Sequence, residues 1–185
     1  MEELDLGWQI IEGKKPILIV AGHNFNQGRK GKIKWADIGT GDIARKICKE
    51  NKFWGIVSTK DQMDPNWYIN SPFREQVKKL IKTNKIEMIL DIHGRKLGSN
   101  ELIELIGNDY FIKNYSKKLN EWKINRCVDD EQITLAEELN EILPVLVLEI
   151  REDARIKTID ESKYNEGQKL ISVLIEKLFD TPENT

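Results

Sequence analysis

Histidine is nearly missing from this chain. Its 185 residues carry two, alongside two cysteines and five prolines. Cys48 and Cys127 stand far apart and make no disulfide framework. Cys48 falls on the apolar side of a predicted helix and reads as a buried thiol. No apolar run approaches the ~20 residues that cross a bilayer, so membrane-spanning helices are not expected. An excess of one charge is missing too. Lys and Arg number 29, Asp and Glu 31, and the net charge is −2. The signs are interspersed, without the basic stripe that nucleic acid requires. The first residues include Glu2, Glu3 and Asp5, unlike the positive start of a secretory signal. Repeats, linkers and low-complexity segments are absent. The expectation is a soluble, cytoplasmic protein of one domain, 1–185, with a lead-in at 1–15 and a disordered tail at 180–185.

What is present is an alternation of short apolar runs and amphipathic stretches. Strands are predicted at 17–21, 53–58, 87–92 and 145–150, with a short edge strand at 101–106 where charged and apolar residues alternate. Helical spacing is read from Thr40, as N-cap, to about residue 50. It is read again from Ser71-Pro72, an N-cap followed by a first-turn proline, and over 110–122, 133–143 and 161–179. Gly167 weakens the last of these. Loops are expected at 23–38, 59–70 and 94–100. The first is long for a compact domain, and such loops are often functional. Strands alternating with helices argue for an α/β fold, a mostly parallel or mixed sheet covered by helices on both faces.

Both histidines follow predicted strands. His23 comes after Pro16-Ile17-Leu18-Ile19-Val20-Ala21-Gly22, and His93 after Met88-Ile89-Leu90-Asp91-Ile92. In open α/β sheets the carboxyl ends of the strands form the ligand-binding edge. The run Val145-Leu146-Val147-Leu148 delivers Glu149 to that same edge. A lone histidine after a strand is usually a hydrogen-bonded structural residue. Two at equivalent strand ends, each beside a glycine that permits close approach, read as metal ligands. A catalytic zinc site uses three protein ligands and keeps one position open. Asp37, before the first helix, is the best third ligand. Asp42 is an alternative that helix-dipole preference also explains, and Asp91 is placed to orient an imidazole. Burying an unpaired carboxylate is costly, so Glu149 is either paired to Arg151 or Arg155, or is a general base. Asn70, Arg74 and Arg95 are candidates to bind a substrate carboxylate, arginine through its two-pronged fork.

The order Ala-Gly-His23, Ala-Asp37-Ile-Gly-Thr, Asn70…Arg74, Leu-Asp-Ile-His93-Gly and Val-Leu-Glu149-Ile-Arg resembles the N-formylglutamate amidohydrolase family, within the zinc carboxypeptidase-like hydrolases. The resemblance runs from about residue 16 to 155. It implies a phosphorylase/hydrolase-like three-layer α/β/α sandwich and one zinc ion held by His23, Asp37 and His93. It also implies Glu149 as general acid/base. Two departures stand out. The acid three residues after the first histidine in metallocarboxypeptidases is Asn26 here, and Asn70 and Arg74 are not adjacent. The expected activity is hydrolysis of an amide bond in a small carboxylate-bearing substrate such as an N-acyl amino acid, with a short peptide or non-catalytic metal or metabolite binding as alternatives. No nucleic acid or membrane partner is expected.

Overall fold

A computed structural model describes residues 6–127, 134–140 and 142–179. Its spine is a seven-stranded mixed sheet. The strands are β1 (Trp8–Ile11), β2 (Lys15–Ala21), β5 (Phe53–Ser58), β7 (Met88–Arg95), β8 (Ile103–Gly107), β9 (Ile124–Arg126) and β10 (Val145–Arg151). Their spatial order is β1-β5-β2-β7-β10-β8-β9. The four central strands β5, β2, β7 and β10 run parallel, whereas β1 and β8 pair antiparallel to their inner neighbours. A second sheet of three short strands, β3 (Gln27–Arg29), β4 (Lys32–Lys34) and β6 (Gln62–Met63), lies within the segments that follow β2 and β5.

The central strands are apolar on both faces, as strands covered twice must be. One face, with Ile19, Leu90 and Leu148, packs against α1 (Thr40–Asn51), α3 (Asp109–Tyr115) and α6 (Glu161–Phe179). The other, with Leu18, Ile89 and Val147, packs against α2 (Pro72–Thr83) and α4 (Leu135–Glu138). The result is the expected three-layer α/β/α arrangement. From β2 the chain passes through α1 to β5 on one side, then through α2 to β7 on the other. The winding thus reverses between β2 and β7. Such a switch point opens a crevice at the carboxyl ends of the two strands.

Several boundaries differ from the sequence reading. The lead-in contains edge strand β1, whose Trp8 and Ile11 are half-buried. The loop at 23–38 folds into the β3–β4 hairpin, because Lys30 (φ 34°) and Gly31 (φ 78°) make a two-residue turn with both φ positive. The loop at 59–70 contributes β6 to the same small sheet. β7 continues to Arg95, so His93 lies within the strand. β8 is not an edge, since β9 pairs outside it. The helix read over 110–122 tightens into a 3-10 turn, Ser116–Leu119. Of the helix read over 133–143, Leu135–Glu138 is helical, while 133 and 141 lie outside the described residues, as does the tail 180–185. Thr40 is the first helical residue, not the cap. Gly39 (φ 90°) takes the cap position, and the Thr40 hydroxyl donates to the Asp37 carbonyl at 2.7 Å. Among the described residues no helix is long and apolar enough to cross a membrane.

Candidate metal centre

His23 and His93 meet in the crevice between β2 and β7. Their rings stand edge to face, with centroids 4.6 Å apart. His23 is held where the chain turns out of β2: its carbonyl accepts from the Asp37 amide at 2.7 Å, drawing the far end of the 23–38 segment back over the ring. Gly22, just before it, approaches Phe73 and Pro65 so closely that a Cβ would lie 3.0 Å from the proline. His93 belongs to β7 and shares the α2-side face with Asp91.

Each imidazole is anchored through Nε2. His23 Nε2 faces Asp64 Oδ1 at 3.0 Å, and His93 Nε2 faces Asp91 Oδ2 at 3.1 Å. With these nitrogens engaged, the two Nδ1 atoms turn toward one carboxylate oxygen. Asp37 Oδ2 lies 3.6 Å from His23 Nδ1 and 4.0 Å from His93 Nδ1. His23 Nδ1 is buried and has no hydrogen-bond partner, an arrangement that is costly unless something else fills its lone pair. The three donor atoms lie within 4.8 Å of one another. Tetrahedral zinc with bonds of about 2.0–2.1 Å brings its ligand atoms to roughly 3.4 Å, so a small contraction would close this set on an ion. The donor set, two nitrogens and a carboxylate oxygen, suits zinc. The residues therefore fit the metal that the family resemblance implies.

The electrostatics agree with this geometry. Burial disfavours the charged form of Asp37, but the adjacent His23 ring and the charges of Lys34 and both histidines hold its carboxyl well below the ordinary range. Asp64 behaves likewise through His23, Arg29 and the Asn66 amide. Burial pushes His93 down, but Asp91, Glu149 and Asp37 outweigh it and carry the pKa up to about 9. Glu149 is in direct register with His93 on the adjacent strand, so the two side chains share a face. Among the described residues it makes no hydrogen bond or ion pair. Arg151 is turned instead to Asp153 and the Ser99 carbonyl, and Arg155 to backbone carbonyls. Burial raises the Glu149 pKa from its ordinary value.

Of the three arginine and asparagine candidates, the two arginines are already paired with acids. Asn70 is exposed in the turn before α2. Arg74 is 1% exposed and faces inward, with its fork on Glu138, the Pro65 carbonyl and the Thr134 carbonyl. Arg95 pairs with Glu104 across the sheet. Two further residues contribute: Asp64, which sequence reading did not single out, and Arg155, which it named only as a pairing for Glu149. Asp64 is fully buried and joins His23 to the small sheet, where Arg29 also holds it. Its only sequence signal is its place in the loop after β5, at the sheet's carboxyl edge. Arg155 ends the short helix α5 (Glu152–Arg155) directly after β10. Its guanidinium lies flat on Gly94, where a Cβ would come within 2.7 Å of Cζ and Nε.

Two spaces adjoin the centre. A cavity of about 10 Å³ behind the histidines is lined by Phe73, Arg74 and Asp91 and has room for about one water. On the solvent side an open groove of about 870 Å³ runs past Asp37, Gly94, Arg95, Lys96 and Arg155, with exposed Trp35 on its wall. Of these two spaces, only the groove is large enough for more than a water-sized molecule.

No sequence family matches the chain, and no curated protein matches it. Its likeness to known proteins lies in the fold. The gene product Atu2144 of Agrobacterium tumefaciens superposes with a TM-score of 0.61 at 13% identity, over 93% of this chain and 92% of that one. N-formylglutamate amidohydrolase from Ralstonia eutropha superposes at 0.50 and 11% identity, over 91% and 96%. A bacteriophage poly-gamma-glutamate hydrolase gives 0.50 and 14%, over 96% and 93%. At these identities the similarity establishes a shared hydrolase-like α/β/α fold, and the chemistry rests on the site.

Proposed function

We propose that the protein is a zinc-dependent amidohydrolase acting on the carbon–nitrogen bond of a small carboxylate-bearing substrate, an N-acyl amino acid or short peptide. One observation carries the reading. Two imidazoles, each anchored at Nε2 by a buried carboxylate, turn Nδ1 toward Asp37, beside a largely buried glutamate that has no partner. A structural histidine pair has no use for an orphaned Nδ1. Two fold relatives are named for hydrolysis of glutamate amides, which is compatible with this reading.

In this reading His23, Asp37 and His93 hold the ion, with Asp64 and Asp91 fixing the ring orientations. When bound, zinc supplies Lewis-acid activation of water and of the scissile carbonyl. Glu149 takes a proton from the attacking water and delivers it to the departing nitrogen. Its raised pKa suits both halves of that task, since a base poised nearer neutrality also returns its proton readily. The crevice walls keep bulk water from the histidines, and the groove admits the substrate.

Metal content and turnover test the reading together. The purified protein should hold close to one zinc per chain, and His23→Ala or His93→Ala should abolish stoichiometric binding. Glu149→Gln should keep the zinc and lose amide hydrolysis by ~10²–10⁴, mainly in kcat. Full zinc in both histidine variants would remove the site. Full activity in Glu149→Gln would remove the base.

A further inference from the structure

Arg155 is a buried cation without a counter-ion. It is 8% exposed, and among the described residues it forms no ion pair. Its Nε donates to the Ile150 carbonyl at 3.2 Å, and Nη1 donates to the Ile38 carbonyl. These bonds hold the guanidinium plane from two sides, by the carbonyls next to Glu149 and Asp37. They leave Nη2 without a protein acceptor. A guanidinium has five N–H donors, and a buried charge is normally paired. The nearby acids Asp37, Glu152 and Glu149 act on Arg155 only at longer range, and Asp37 and Glu149 have tasks at the metal centre.

Gly94 supplies the second observation. It follows His93, and a Cβ there would lie 2.8 Å from Nη2. The glycine clears the space the guanidinium occupies. Asp37, Gly94 and Arg155 line one groove, so this guanidinium and a proposed metal ligand border the same space.

We infer that Arg155 is the specificity-determining residue of this site, binding the substrate's carboxylate through the free edge of its guanidinium while the amide lies at the metal centre. This rests on the proposed function. It takes the role that sequence reading gave to Arg74 and Arg95, whose charges are already paired with Glu138 and Glu104.

The test is a preference, measured first as binding. Metal-free protein is titrated by calorimetry with N-acetylalanine and with N-acetylalaninamide, which lacks the carboxylate. The parent should favour the acid by roughly tenfold or more, as expected for a charge-assisted hydrogen bond. Arg155→Gln should bring the two affinities together. Gly94→Ala, which displaces the guanidinium, should do the same and decides the matter if Arg155→Gln fails to fold. Zinc-loaded protein should show the same pattern in KM, with kcat little changed. An unchanged acid-to-amide ratio in folded Arg155→Gln, or in Gly94→Ala, overturns the proposal, as does a parent without preference. Preference without hydrolysis would leave Arg155 its role and count against the amidohydrolase reading instead.

Discussion

Each imidazole of the candidate centre carries its own carboxylate, and at the residue scale this is the feature that most separates the site from a chance meeting of histidines. Asp64 and Asp91 are both buried, and each meets an Nε2 within 3.1 Å. An imidazole so held presents Nδ1 with its lone pair directed at the metal and is made more basic by its partner. Asp64→Asn and Asp91→Asn should therefore weaken zinc binding by about 10–100-fold without touching a ligand. Competition with a chromophoric chelator would measure it, and unaltered affinity in both variants would reduce these acids to a packing role. The two differ in legibility. Asp91 stands two residues from His93 on the same strand face, so alternation alone placed it. Asp64 comes from a loop with no period, and it reaches His23 because the small sheet brings it there.

Among the elements, the central strands and long helices were readable because they are strongly periodic. β5, β10 and α6 fall where apolar spacing put them, and His23, His93 and Glu149 came to one edge as their strands required. What could not be read was set by tertiary pairing. β1, β6 and β9 are short strands without alternation of their own, and they exist because a neighbouring edge offers hydrogen bonds. Arg74 misled because nothing local shows that Glu138 will meet it from α4. Gly167 is instructive: it weakened the helical reading of α6, yet it sits inside the helix, where a Cβ would come within 2.9 Å of the Ala154 side chain and carbonyl on α5. The glycine is a contact surface between two helices. Gly167→Ala should cost about 1–3 kcal/mol despite better helix propensity. That predicts a fall in Tm of roughly 3–10 °C by calorimetry. A rise in Tm would mean that α6 can back away from α5 at no cost.

On the scale of the whole molecule, the centre joins two bodies of structure. His23 follows β2 and His93 lies in β7 of the large sheet, while Asp37 follows β4 and Asp64 follows β6 of the small one. Removing the metal should loosen the small sheet first. Hydrogen exchange should quicken in Gln27–Arg29, Lys32–Lys34 and Gln62–Met63 on chelation, with Met88–Arg95 unaffected; uniform change across both sheets would argue that the centre does not link them. The winding has a further result. β2 and β7 lie side by side, but β5 and α2 intervene in the chain between them. The three donors thus come together only in the finished sheet. A chain still unfolded offers two isolated histidines and scattered acids, and it competes poorly for zinc. Under the proposed zinc binding, nearly all the free energy of binding would fall on the native state, stabilising it in proportion to the logarithm of free zinc. For such a protein the supply of metal sets more than the rate of a reaction. In starved cells a larger fraction would be open to proteolysis, and its abundance would follow the metal available to it.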